Sequence, residues 1–176
     1  MSKILYEQLL NSGDLRGIEG VDVVIKMVQN QADFDILFSC LKTRNRLIVE
    51  RTADAIEKIT RVNPDYLSKH KNSIINYCRI AQNKELKWHL SQLLPRLLLD
   101  NAEFREMSQL LEEWVRDRNE SKICRVNALQ SLFDLSVLHK KSQEHFILLM
   151  DVLENEDIPS LNARIRILRT KLKRTA

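Results

Sequence analysis

Two groups of carboxylates are the first residues in this chain whose types could do chemistry. Glu112-Glu113 and Glu154-Asn155-Glu156-Asp157 supply the paired acids that general acid–base catalysis uses, one carboxyl giving a proton and one taking it. Adjacent acids on a helix point in different directions, however, and acids gathered at helix ends face water, so both groups read as solvated surface. The histidines His70, His89, His139 and His145 lack the i, i+4 spacing that turns two imidazoles toward one metal; even His139 and His145 stand six apart. Cys40, Cys78 and Cys124 are odd in number and widely spaced, which suits neither a disulfide framework nor a zinc knuckle. Cys40 and Cys78 lie 38 residues apart and read as small apolar residues of a packed seam. No glycine follows Gly20, so a glycine-rich phosphate loop has nowhere to form beyond it. No catalytic residue, metal ligand or cofactor is assigned.

Charge and aromatic residues carry the next possibility, a polyanionic partner. The formal charge is +4, but residues 160–176 hold six basic and no acidic side chains, which leaves 22 basic against 24 acidic, or −2, elsewhere. Residues 42–88 hold eleven basic and five acidic groups, whereas 100–120 hold three basic and seven acidic. Such blocks create local fields beneath a modest total. Trp88 stands near Lys69, Lys71, Arg79, Lys84 and Lys87 in sequence and off the strongest apolar stripe, which makes it a surface candidate. Trp114 falls on the stripe with Leu110 and Leu111 and reads as core. The acidic block at 100–120 would interrupt a continuous nucleic-acid track.

The elements that must position these residues are helices. An apolar share of 44% can bury a core, and sustained alternation of the strand type is missing. A first helix is predicted over 3–11, ended by Asn11-Ser12-Gly13, with Gly17 and Gly20 as a flexible connection. Val21, Val24, Ile25 and Val28 line one helical face, and Phe34, Leu37, Phe38 and Leu41 another. Longer helices are predicted from Arg44 to Val62, from Leu67 to about Asn83, from Glu85 to Leu99 with a bend at Pro95, from Glu103 to Asp117, over Lys122–Val137 and over Ser142–Leu153. Asp157-Ile158-Pro159-Ser160 breaks the chain before a last helix over Leu161–Lys173. No apolar run approaches the roughly 20 residues of a membrane span. The start lacks the apolar centre of a signal peptide, so no membrane association and a cytoplasmic setting are expected.

Four of these helices superimpose at a nearly constant offset. Apolar positions at steps 0, 4, 8 and 11 recur as Ile48, Thr52, Ile56 and Ile59 (Thr52 being polar), as Leu86, Leu90, Leu94 and Leu97, and as Cys124, Ala128, Leu132 and Leu135. A looser copy is Leu161, Ile165, Leu168 and Leu172, and the starting points lie 38, 38 and 37 residues apart. That period matches two antiparallel helices and their turns. Leu129 and Leu132 are expected in the interior.

The segments Arg51-Thr-Ala-Asp-Ala-Ile-Glu-Lys-Ile59, Leu86-Lys-Trp-His-Leu-Ser-Gln-Leu-Leu-Pro-Arg-Leu97 and Arg125-Val-Asn-Ala-Leu-Gln-Ser-Leu-Phe-Asp-Leu135 resemble the leading helices of HEAT repeats, of the armadillo-like superfamily. Lys87 and Arg125 match the family's basic position, from which Val49 and Asn162 depart; the bend expected at Pro95 is also a family trait. The resemblance covers about residues 19–173 and implies an all-α fold, a right-handed α-α superhelix of about four helical hairpins plus a capping helix. On that scheme one domain spans 1–176: a cap helix and linker (1–18), a truncated repeat (19–43), full repeats (44–83, 84–120, 121–157) and a basic cap helix (158–176). The second helices then line a concave wall. Its outward residues are Lys69, Asn72, Asn76 and Arg79, then Arg105, Gln109, Glu112 and Arg116, then Glu144 and Asp151, grading from basic to acidic.

The family implies binding more often than chemistry, so the expectation is a non-enzymatic adaptor or scaffold that binds a protein or peptide partner. The rival is a nucleic-acid binder that uses 42–88 and the last helix, because some HEAT-like solenoids are alkylpurine DNA glycosylases. An enzyme of that glycosylase type, or a lyase, is the remote third reading; the glycosylase family is longer than this chain. The apolar face of the last helix, Leu161, Ile165, Leu168 and Leu172, predicts that it docks on the preceding repeat, with Arg164, Arg166, Arg169, Lys171, Lys173 and Arg174 outward.

Overall fold

A computed structural model describes residues 2–12 and 19–175, with the backbone alone at Glu19 and Thr175. The linker expected at 13–18, with Gly13 and Gly17, lies outside the described residues. Among those residues the fold is all-α, with ten α-helices and no strand. The helices are α1 (Lys3–Asn11), α2 (Glu19–Met27), α3 (Gln31–Ser39), α4 (Arg46–Thr60), α5 (Lys71–Ile80), α6 (Lys84–Leu93), α7 (Asn101–Arg116), α8 (Lys122–Leu138), α9 (Gln143–Glu154) and α10 (Pro159–Thr175). None of them is long and apolar enough to cross a membrane. The chain divides into two compact units, Met1–Ile74 and Ile75–Ala176, the division falling within α5.

Local chemistry explains where the helices begin. Asn45 Oδ1 accepts from the backbone N–H groups of Leu47 and Ile48, Asn83 Oδ1 from those of Glu85 and Leu86, and Ser121 Oγ from that of Cys124. Each side chain satisfies donors that a helix start leaves orphaned. The three caps stand 38 and 38 residues apart, so the repeat extends to the capping atoms. Of the sixteen positions in the recurring apolar pattern, fourteen are buried, and Leu86 and Leu172 are half-buried. Leu129 and Leu132 are interior as expected, as are Cys40 and Cys78.

In the first unit α4 packs against α1, α2 and α3. Its Arg51 is buried and donates from Nη1 to the carbonyls of Leu10 and Ser12, both at 2.7 Å, which neutralises orphaned acceptors at the end of α1. Gly20 is not part of a flexible connection, since it lies inside α2, buried against α1. A Cβ there would collide with the Leu9 carbonyl oxygen, so the close approach of the two helices requires glycine. The stretch from Leu67 opens as a 3-10 turn over Pro64–His70 before α5 begins. Within that turn His70 stacks on Phe38 at 3.9 Å and its Nε2 lies 2.8 Å from Asp35.

In the second unit α8 is the central element, packed against α6, α7, α9 and α10. Between its exposed ends it is buried on more than one face, so that Arg125, Ser131 and Ser136 are interior beside the recurring positions Cys124, Ala128, Leu132 and Leu135. Pro95 does not bend a helix that runs on to Leu99. The helix α6 stops at Leu93, a 3-10 turn carries Leu94–Arg96, and Leu97 is extended. Proline has no N–H to continue the α-helical ladder. Leu161, Ile165 and Leu168 of α10 are fully buried, and the helix packs on α8 and α9. In the break before it Asp157 has a positive φ of 52°, and the preceding Glu156 accepts from Arg125 Nη2 at 2.8 Å.

Candidate binding pit on helices α7, α8 and α9

The second unit contains a pit of about 240 Å³ whose walls come from three helices. From α7 come Phe104, Arg105, Ser108, Gln109 and Glu112, from α8 Leu132 and Ser136, and from α9 and the residue before it Ser142, His145, Phe146 and Leu149. The spacings are those of single helical faces: 104, 108 and 112 on α7, 132 and 136 on α8, and 142, 145, 146 and 149 on α9. A capping box fixes the start of α7, with Asp100 accepting from the Glu103 N–H at 2.9 Å and Glu103 accepting from the Asp100 N–H at 2.8 Å. At the far end of α8, the His139 ring stacks on Phe104 with centroids 3.8 Å apart. That contact holds the α8–α9 turn over α7. A wider depression of about 550 Å³ adjoins the pit there and shares Phe104, Arg105 and Ser142 with it, while adding Asn101, His139, Lys140 and Lys141.

Polar chemistry is concentrated at the rim. Glu112 is half-buried and accepts from Arg116 Nε at 2.7 Å, and its other oxygen lies 2.6 Å from His145 Nε2. Burial alone would push its carboxyl up, but the hydrogen bonds from His145 and Arg116 and their charges outweigh burial and hold it below the usual carboxylate range. Ser108 Oγ is buried without a hydrogen-bond partner among the described residues. Ser136 and Ser142 donate to the carbonyls of Phe133 and His139, each at 2.7 Å, so neither hydroxyl is held by His145. The nucleophile–base contact that hydrolytic chemistry uses is not formed among these groups.

The expected wall residues have different fates. Arg105, Gln109 and Glu112 are brought together in the pit, and Arg116 supports Glu112 from behind. Glu112 is half-buried rather than fully outward, with His145 of α9 2.6 Å from its carboxylate. Asn76, Arg79 and Glu106 form a second group, with Arg79 bidentate on Glu106 at 2.6 and 2.8 Å and on Asn76 at 2.7 Å. Asp151 is tied to Arg169 of α10 at 2.5 Å, while Glu144 is exposed on α9. Lys69 and Asn72 belong to the first unit, where both are exposed and Lys69 lies 3.6 Å from Asp35. Sequence reasoning missed Phe104, Ser108, Ser136, His145, Lys140 and Lys141 as site residues. The i, i+4 stripe Phe104–Ser108–Glu112 was a usable signal, but the α8 and α9 contributions had none.

The other chemically notable groups are structural. Trp114 is buried, with Lys87 Nζ 5.5 Å from its ring centroid and 2.7 Å from Glu120. Trp88 is half-buried and stacks on His89 at 4.5 Å, so it offers less surface than expected. Burial pushes the Cys40 thiol up to about 11 and the Cys78 and Cys124 thiols up to about 12. Compared with protein-family models, with curated proteins and with solved structures, the chain has no match in any of the three.

Proposed function

We propose that this chain is a small HEAT-like solenoid, a right-handed superhelix of helical hairpins, and that it acts as a non-enzymatic adaptor for a protein or peptide partner. Support for the repeat comes from recurrences at 38 residues in caps and buried positions alike. The ion pairs repeat too: Lys87 meets Glu120 at 2.7 Å, and 38 residues on Arg125 meets Glu156 at 2.8 Å. Each joins a basic residue on a leading helix to an acid in the loop after the following helix. The adaptor role rests on one observation, the apolar-floored pit with a polar rim built from α7, α8 and α9. A concave, largely apolar site with a few convergent polar groups is the usual form of a recognition pocket.

One observation weighs against the nucleic-acid reading. At least seven of the eleven basic residues in 42–88 are in ion pairs: Arg46, Lys58, Arg61, Lys69, Arg79, Lys84 and Lys87. Arg51 is buried on backbone carbonyls. Cations already neutralised by neighbours release little from a phosphate backbone. The test is affinity capture with the full chain from nuclease-treated and untreated lysates, followed by mass spectrometry. A defined protein retained after nuclease treatment is the expected result. Recovery of nucleic acid alone, with affinity that falls as salt rises and is lost in Arg79→Glu/Lys84→Glu, would overturn the adaptor role.

A further inference from the structure

We infer that the pit and its basic lip recognise a short acidic segment carrying one apolar or aromatic anchor residue, the anchor filling the pit and the acids meeting Arg105, Lys140 and Lys141. This rests on the protein-binding reading and names the partner's chemistry. A pit of about 240 Å³ falls below the roughly 300–1,000 Å³ of small-molecule sites and is of a size for a single large side chain. Its floor of Phe104, Leu132, Phe146 and Leu149 offers dispersion contacts. The buried, unpartnered Ser108 hydroxyl supplies one polar handle, of the kind that the tip of a tyrosine or tryptophan satisfies.

Charge decides what lies beside the anchor. Arg105, Lys140 and Lys141 border the adjoining depression and form no ion pair among the described residues. The acids on α7 are already engaged: Glu103 on the Asp100 N–H, Glu106 on Arg79, Glu112 on Arg116 and His145, and Glu113 on Gln109. A few carboxylates therefore find free cations at the lip. An extended polyanion on Arg105 would also meet the rest of 100–120, where seven acids stand against three bases including Arg105, so a short acidic peptide is favoured over nucleic acid.

The test selects random dodecapeptides displayed on phage against the full chain and measures the enriched peptides by fluorescence anisotropy. Enriched sequences should pair an aromatic or aliphatic residue with nearby Asp or Glu. Arg105→Glu, at an exposed position, should weaken them about tenfold or more at low salt, with a smaller loss at high salt. Ser108→Leu should plug the pit and abolish binding while the melting temperature holds. Enriched peptides whose affinity ignores both substitutions, or that lack acidic residues, overturn the pit assignment and leave the adaptor role standing. No enriched peptide, together with oligonucleotide binding that Arg105→Glu weakens, overturns both.

Discussion

Replacing Arg125 by methionine tests the packing of the second unit at its most committed residue. Arg125 is 1% exposed, donating from Nε to the Val115 carbonyl at 2.6 Å and from Nη2 to Glu156 at 2.8 Å. Methionine keeps the length of the stem, so the change removes the charge and the donors and opens little cavity. The Val115 carbonyl, in the last turn of α7, then loses its side-chain donor, which costs about 1–3 kcal/mol if nothing replaces it. The Glu156 carboxylate, whose side chain is 10% exposed, loses its close partner; breaking a buried pair on one side costs about 3–5 kcal/mol. Both figures need reduction, because Glu156 is near the surface and Arg118 lies 3.9 Å away on a side chain 79% exposed, free to move in. A net loss of about 3 kcal/mol follows, or roughly 6–12 °C in melting temperature for a chain of this size. Urea unfolding followed by far-ultraviolet circular dichroism measures it, with Glu156→Gln and the double variant completing a cycle. The coupling should exceed about 1.5 kcal/mol. A single-variant loss under about 1 kcal/mol, or additivity within about 0.5 kcal/mol, would refute the assignment of Arg125 as the tie between α7 and the turn after α9.

Three further outcomes are expected. Gly20→Ala should destabilise, by about 1–3 kcal/mol, because the added methyl meets the Leu9 carbonyl, whereas the same change in an open helix gains up to about 1 kcal/mol; a rise in melting temperature would contradict the α1–α2 approach. Glu112 has a folded pKa below its unfolded value, so its contribution is complete above the unfolded value near ~4.3 and is lost as pH falls through the folded one. Urea midpoints of the parent and Glu112→Gln should therefore converge between about pH 6 and about pH 3, and parallel curves would be inconsistent with the Arg116–His145 clasp. The three thiols should resist Ellman's reagent in the native protein and react together on adding guanidinium, since burial keeps them protonated; fast native labelling of Cys78 would show its seam to be open.

How much of this was legible beforehand depends on the range of the interaction. The helices α1, α4, α7, α8, α9 and α10 fall within a few residues of the predicted stretches, since apolar spacing and polar caps act within one or two turns. The site was half legible. Arg105, Gln109, Glu112 and Arg116 share one face of α7, a fact of helical geometry, but nothing local announces that Ser136 and His145 come to meet them.

Sequence alone determined that the chain is helical, the approximate limits of six of its helices, and that fourteen of the sixteen positions recurring every 38 or 37 residues are interior, because periodicity and capping are encoded within a single helix. Tertiary structure decided the rest. It buried Arg125 between the Val115 carbonyl and Glu156, placed Gly20 against α1, and left Arg105, Lys140 and Lys141 unpaired among the described residues beside an apolar pit. Those outcomes depend on which side chains arrive from elements far apart in the chain, and burial and charge pairing are properties of that meeting rather than of any one helix.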